Sequence, residues 1–181
     1  MADTQEILFG SGDIYIVPDS LNLETASESE IAAALVKVGE SNGEATLAIE
    51  YEFVDVRGGV GNQLLKSFMT SETVSFNAGI VTYDMATISE FIAATYTEDT
   101  VNGKRTLGIG GAKNVPIKRL RFVHTKEDGK TITLDMHKAQ NRNGLEWTFN
   151  NEEASVFEFE FTLFADKSKT NGNIVTITEE I

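Results

Sequence analysis

The chain has 181 residues, 41% hydrophobic and 24% charged, enough for one domain that buries about 70% of its unfolded surface without cross-links. It contains no cysteine, which excludes disulfides and thiolate metal sites, and no uninterrupted apolar run long enough to read as a membrane span. The net charge of −13 opposes tight binding to nucleic-acid phosphates, and it is uneven: 3 Lys and Arg against 17 Asp and Glu in residues 1–100, then 12 against 11.

The first six residues, Met1 to Glu6, lack the basic start and apolar core of a signal peptide, so a soluble chain made in the cytoplasm is expected. Ile7 to Val17 reads as the opening strand, interrupted at Gly10-Ser11-Gly12 and stopped by Pro18. Residues 19–34 are small and acidic. Ser27 and Glu30 stand at capping-box spacing before Ile31-Ala32-Ala33-Ala34, which predicts one or two helical turns.

Ala45 to Asp55 reads as a long strand with Ala45, Leu47, Ile49, Tyr51 and Phe53 on one face and Thr46, Glu50 and Glu52 on the other. Lys66 to Ile80 is its partner, with Phe68, Val74, Phe76, Ala78 and Ile80 opposing Ser67, Ser71, Thr73, Ser75 and Asn77. Between them lies the glycine-rich turn Arg57-Gly58-Gly59-Val60-Gly61-Asn62, and Val60 to Leu65 forms a partly apolar tip. Strands this much longer than the usual five or six residues predict a hairpin that projects beyond the body.

Met85 to Thr95 is predicted as a helix capped by Asp84, with Met85, Ile88, Phe91 and Ile92 as its apolar stripe. Asn102-Gly103 and Asp128-Gly129 signal hairpins; the second joins Val115–Thr125 to Lys130–Lys138 and sets His124 opposite Thr131. Asn143-Gly144 introduces a strand at Leu145–Phe149 that turns Trp147 to the core. From Ser155 to Phe164, Phe157, Phe159, Phe161 and Leu163 alternate with Glu158, Glu160 and Thr162, the pattern of a strand buried on one face. A polar loop, Asp166–Asn173 with its Asn171-Gly172 turn, precedes the closing strand Ile174–Thr178. Together these predict a single mainly β domain over 1–181: a β-sandwich or barrel-like body with one flanking helix, an N-terminal segment 1–40, the projecting tip 57–65 and a C-terminal arm 166–181.

Reaction chemistry is sparse. His124 and His137 lie too far apart in the expected hairpin to share a metal, and neither belongs to a triad or an H-E-x-x-H site. Gly58-Gly59-Val60-Gly61 and Gly108-Ile109-Gly110-Gly111 fit no nucleotide fingerprint and read as flexible turns. The carboxylate pairs Glu50/Glu52 and Glu158/Glu160 imitate a glycosidase dyad, but Glu opposite an apolar face reads more simply as a solvated sheet surface. Lys118, Arg119 and Arg121 form a basic cluster without the interleaved aromatics of a nucleic-acid site; they are candidates for ion pairs between subunits. No enzyme activity, cofactor or metal is expected.

The sequence resembles the tail tube (major tail) proteins of long-tailed bacteriophages. The resemblance is carried by Phe9-Gly10-Ser11-Gly12-Asp13-Ile14-Tyr15-Ile16-Val17-Pro18, by Gly43-Glu44-Ala45-Thr46-Leu47-Ala48-Ile49, and by the order of hairpin tip, helix and aromatic strand. It implies a structural protein of the virion tail, assembled in the host cytoplasm as hexameric rings that stack into a hollow tube for DNA. Implied partners are further copies, a tape measure protein, and distal tail and tail terminator proteins, with DNA passing unbound and no membrane insertion. By this analogy Arg57, Gly58, Gly59, Val60, Gly61, Asn62, Leu64 and Leu65 form the loop that reaches the next ring. Glu50, Glu52, Ser71, Thr73 and Ser75 become candidates for the lumen, with Glu158 and Glu160 behind them. The competing readings are a β-sandwich module that binds cell-surface carbohydrate and, third, a hydrolase using paired Glu.

Overall fold

The computed structural model describes residues 10–111, 114–152, 154–169 and 173–181. Ile7–Phe9 of the predicted first strand and the Asn171-Gly172 turn lie outside the described residues. The elements are β1 (Gly12–Val17), α1 (Glu28–Ala34), β2 (Val36–Lys37), β3 (Ser41–Gly58), β4 (Gln63–Ile80), α2 (Met85–Ser89), β5 (Ala94–Asp99), β6 (Lys104–Ile109), β7 (Lys118–Thr125), β8 (Thr131–Asn141), β9 (Phe157–Leu163) and β10 (Val175–Glu179). The fold is mainly β and antiparallel throughout, as the alternation predicts.

Among the described residues eight strands form one sheet, seven in the order β2-β1-β7-β8-β9-β4-β3 and β10 paired to β8, and β5-β6 form a separate hairpin. β8 divides its outer edge: Ala139–Asn141 pair with β9, whereas Ile132–Met136 pair with β10. The sheet curls until its ends meet. Phe76 of β4 and Phe122 of β7 have two strands, β8 and β9, between them in the ladder, yet their ring centroids lie 5.5 Å apart. The link from β2 to β3 closes the seam: Val38 N–H donates to the Ile14 carbonyl and Val81 N–H to the Glu40 carbonyl, both at 2.9 Å. At the same seam Lys37 lies 2.9 Å from Glu40 and 3.0 Å from Asp13, hydrogen bonds that push its pKa up to about 12.

The core is what the period-two pattern dictates. Phe157, Phe159, Phe161 and Leu163 are all buried, packed with Phe76, Ile80, Phe91, Leu120 and Met136. Ser27 caps α1 through a complete capping box with Glu30.

Four expectations are corrected. The helix from Asp84 stops at Ser89; Phe91 and Ile92 still reach the core, but from the turn that follows, and Ala94-Thr95-Tyr96-Thr97 enter β5. Their β-branched and aromatic side chains suit a strand better than a helix. Among the described residues there are two helices rather than the one flanking helix expected, because the turns predicted after Ser27 form α1, seven residues long against five in α2. Leu145–Phe149 joins no ladder, and its in–out alternation ends at Thr148 because Phe149 is exposed; Trp147 packs edge-on against Phe157 and beside Tyr83. The Asp128-Gly129 hairpin is one residue longer than expected, pairing Thr125 with Thr131 and His124 with Ile132. Its three-residue loop is closed by the 2.8 Å bond from Lys126 N–H to the Lys130 carbonyl, with Gly129 at φ 85°.

Candidate assembly interface

β3 and β4 are 18 residues each, and only their basal half belongs to the body. β9 pairs with β4 from Ile80 to Val74 and no further. Beyond the Ile49–Val74 pair the hairpin continues without a third strand for nine residues, about 30 Å of two-stranded ribbon. The predicted projecting hairpin is thus present. Its tip is a four-residue turn, Gly59 to Asn62, in which Gly59, Gly61 and Asn62 take φ of 78°, 97° and 51°. Val60 stands fully exposed at its apex, and Leu64 and Leu65 follow it.

The ribbon is apolar on both faces. Thr70 is an extra residue: Glu52 pairs with Ser71, and Phe53 already pairs with Met69. This β-bulge shifts parity on β4. Phe68 consequently faces Val54 on the side of Glu52 and Ser71, not the side of Phe76 as the alternation predicts, while Ser67 joins Asp55 on the opposite side. The shift matches like with like, putting Phe53 across from Met69 and Val54 from Phe68, and placing Ser67 Oγ 2.7 Å from Asp55 Oδ1. Phe53, Val54 and Met69 are each more than half exposed. The only sequence sign of the bulge is Glu72, a charged residue in the apolar register of β4.

The lumen candidates do share one face. The cross-strand pairs Glu50–Thr73, Glu52–Ser71 and Ala48–Ser75 continue through Thr162, Glu160 and Glu158 of β9, the partners of Ser75, Asn77 and Gly79. Ser71 Oγ donates to Glu52 at 2.9 Å. At the base of this face a cleft of about 240 Å³ is lined by Asn42, Glu44, Thr46, Asn77, Asn143, Glu158 and Glu160. The surface is broad, acidic and amide-rich.

The basic cluster is engaged within its own chain. Lys118 pairs with Glu90; Arg119 Nη1 donates to the Leu21 carbonyl at 2.8 Å and the Pro18 carbonyl at 3.3 Å; Arg121 is bidentate to Asp135. These contacts satisfy, inside one molecule, the cations expected to pair between subunits.

The histidines lie apart in function as well. His124 Nδ1–H donates to the Ser11 carbonyl at 2.7 Å and fixes β1. His137 Nε2 lies 3.0 Å from Thr176 Oγ1. Among the described residues no group of three His, Asp or Glu side chains is placed to hold a metal, and no helix is long and apolar enough to cross a membrane. The chain matches no protein-family model, and no curated protein matches it.

Proposed function

We propose that the protein is a structural subunit that assembles with its own copies into stacked hexameric rings, the hollow tail tube of a long-tailed bacteriophage. The observation that carries this reading is the two-stranded arm beyond Ile49 and Val74. A lone two-stranded ribbon is marginally stable in water, and a contiguous exposed apolar surface marks a place where another protein sits. An arm with apolar pairs on both faces gains most when a neighbouring subunit covers it.

The acidic face of Glu50, Glu52, Glu158 and Glu160 supports the second half of the reading. A bore lined by carboxylates and hydroxyls repels phosphates, so DNA passes without being held. Partners at the tube's ends and interior would be a tape measure protein, distal tail protein and tail terminator, and the working location is the virion tail. Negative-stain electron microscopy of the concentrated protein tests the reading: rings or tubes of uniform bore are expected. A monomer at every concentration and salt condition refutes it.

One observation favours the second reading, a carbohydrate-binding module. Tyr83, Trp147 and Phe149 form an aromatic stack with centroids 5.0 and 5.3 Å apart, and Phe149 is 83% exposed. Aromatic faces of this kind stack on sugar rings. Retention on a glycan array by a protein that stays monomeric selects this reading over the tube.

A further inference from the structure

We propose that the cleft between α1 and the outer face of β7, β8 and β10 is the receptor for the arm tip of a second copy. The inference rests on the reading that copies of this chain assemble. The cleft measures about 730 Å³; Leu23, Ile31 and Leu35 form one wall and Val123, Thr133 and Thr176 the other. α1 has no buried residue: Ile31 and Ala34 are half-buried, Ile31 against the cleft, and neither reaches the core. Two anchors hold the 18–35 segment in place over the sheet: Arg119 on the Pro18 and Leu21 carbonyls, and Lys169 on Glu24.

Size and charge select the occupant. Of the three Lys and Arg in residues 1–100, Arg57 and Lys66 both lie on the distal arm, where Asp55 is the sole carboxylate between Phe53 and Met69. The arm end carries a net charge of +1 on an otherwise acidic half-chain, with Arg57 3.4 Å from Asp55 and Lys66 over the Phe68 ring. The cleft's cations are committed in-chain, Arg121 to Asp135, Lys169 to Glu24 and Arg119 to carbonyls. Glu28 and Glu180 leave its rim acidic. Aliphatic Val60, Leu64 and Leu65 match the aliphatic wall, and Arg57 and Lys66 match the rim. Two other clefts fit worse. The one at Glu158 and Glu160 is walled by amides and carboxylates, and the one at Tyr83 and Arg105 by charged groups with a single Met85. An arm entering an unlike surface is a heterologous contact, which propagates around a ring or along a stack.

Complementation tests the assignment. The arm variant carries Arg57→Glu and Lys66→Glu; the cleft variant carries Glu28→Lys and Ala32→Lys, both at exposed positions of α1. Each alone is expected to associate at least about tenfold more weakly than the unaltered chain in sedimentation velocity. An equimolar mixture is expected to form a one-to-one complex, because one variant keeps the receptor and the other keeps the arm. Thermal melting by circular dichroism verifies that both fold, and Glu28→Lys alone serves if the double cleft variant does not. If the unaltered chain assembles and the cleft variant assembles equally well, the receptor assignment is overturned while the tube reading stands. If the unaltered chain never associates, both fall together.

Discussion

Arg121 grips Asp135 across the β7–β8 ladder through two parallel hydrogen bonds, Nε to Oδ1 at 2.6 Å and Nη2 to Oδ2 at 2.8 Å. Both side chains are only 14% exposed, so removing one partner leaves the other charge largely desolvated and alone. Asp135→Asn or Arg121→Met should each cost about 2–3 kcal/mol in urea unfolding. The double replacement Arg121→Met/Asp135→Leu should cost clearly less than the two singles added, because no orphan charge remains. Single variants within about 0.5 kcal/mol of the parent would show that water screens the pair.

Phe91 supplies a second expectation. Its ring meets Phe159 and Phe161 edge-on, with both centroids at 5.2 Å, and it is 1% exposed. Phe91→Ala opens a cavity that β9 cannot close, since Phe159 and Phe161 are fixed by their own ladder. A loss of about 3–5 kcal/mol is expected by denaturant titration, whereas Phe91→Leu should lose far less.

How far the sequence discloses this molecule depends on how local the deciding forces are. Phe157 to Leu163 are read correctly because alternation is a property of the strand alone. The Ser27–Glu30 capping box and the long hairpin are legible for the same reason. The 85–95 helix shows the limit: Asp84 does cap, accepting from Thr87 N–H at 3.0 Å, but pairing of Ala94–Asp99 with β6 claims the residues that a longer helix needs. Phe68 is misplaced because a bulge is decided by what lies across the ladder. The cleft under α1 escapes sequence reading altogether, because Leu23 and Ile31 meet Val123 only once β1 has paired with β7 and the following segment lies across the sheet.

His137 makes the fold sensitive to mild acid. Burial first, then the Lys169 charge, holds its imidazole below the usual value; Arg119 acts in the same direction, while Asp135 and Asp166 oppose. A depressed folded-state pKa means that the unfolded chain binds the proton more readily. Stability is therefore full above the unfolded value of about 6.5 and declines as pH falls through it toward the folded value. Asp166, held at about 2 chiefly by hydrogen bonds from Ser168, stays ionised throughout that window. Melting temperature should fall between pH 7.5 and 5.5, and His137→Gln should flatten the fall. An NMR titration placing His137 at or above the free-imidazole value would reverse the sign.

Thr70 separates the stability of the subunit from its capacity to assemble. The bulge bends and twists the arm, and Thr70 Oγ1 donates to the Glu52 carbonyl at 3.2 Å. Deleting Thr70 keeps the Phe53–Met69 and Val54–Phe68 pairs adjacent to Glu52–Ser71, so the ladder survives without this bulge, while the second register shift at Val56/Arg57 remains. The exposed arm contributes little to the body, and the melting free energy should change by less than about 1 kcal/mol. What changes is the direction in which Val60, Leu64 and Leu65 are carried at the end of a ribbon of about 30 Å. A change of about 20° at the bulge, acting over the roughly 20 Å from Glu52 to the turn, displaces the tip by about 7 Å, enough to miss a matching surface on a neighbour. Assembly measured by electron microscopy and sedimentation should therefore collapse while the monomer melts normally. Tubes or rings forming at the parent yield would mean that the arm's course is irrelevant to association.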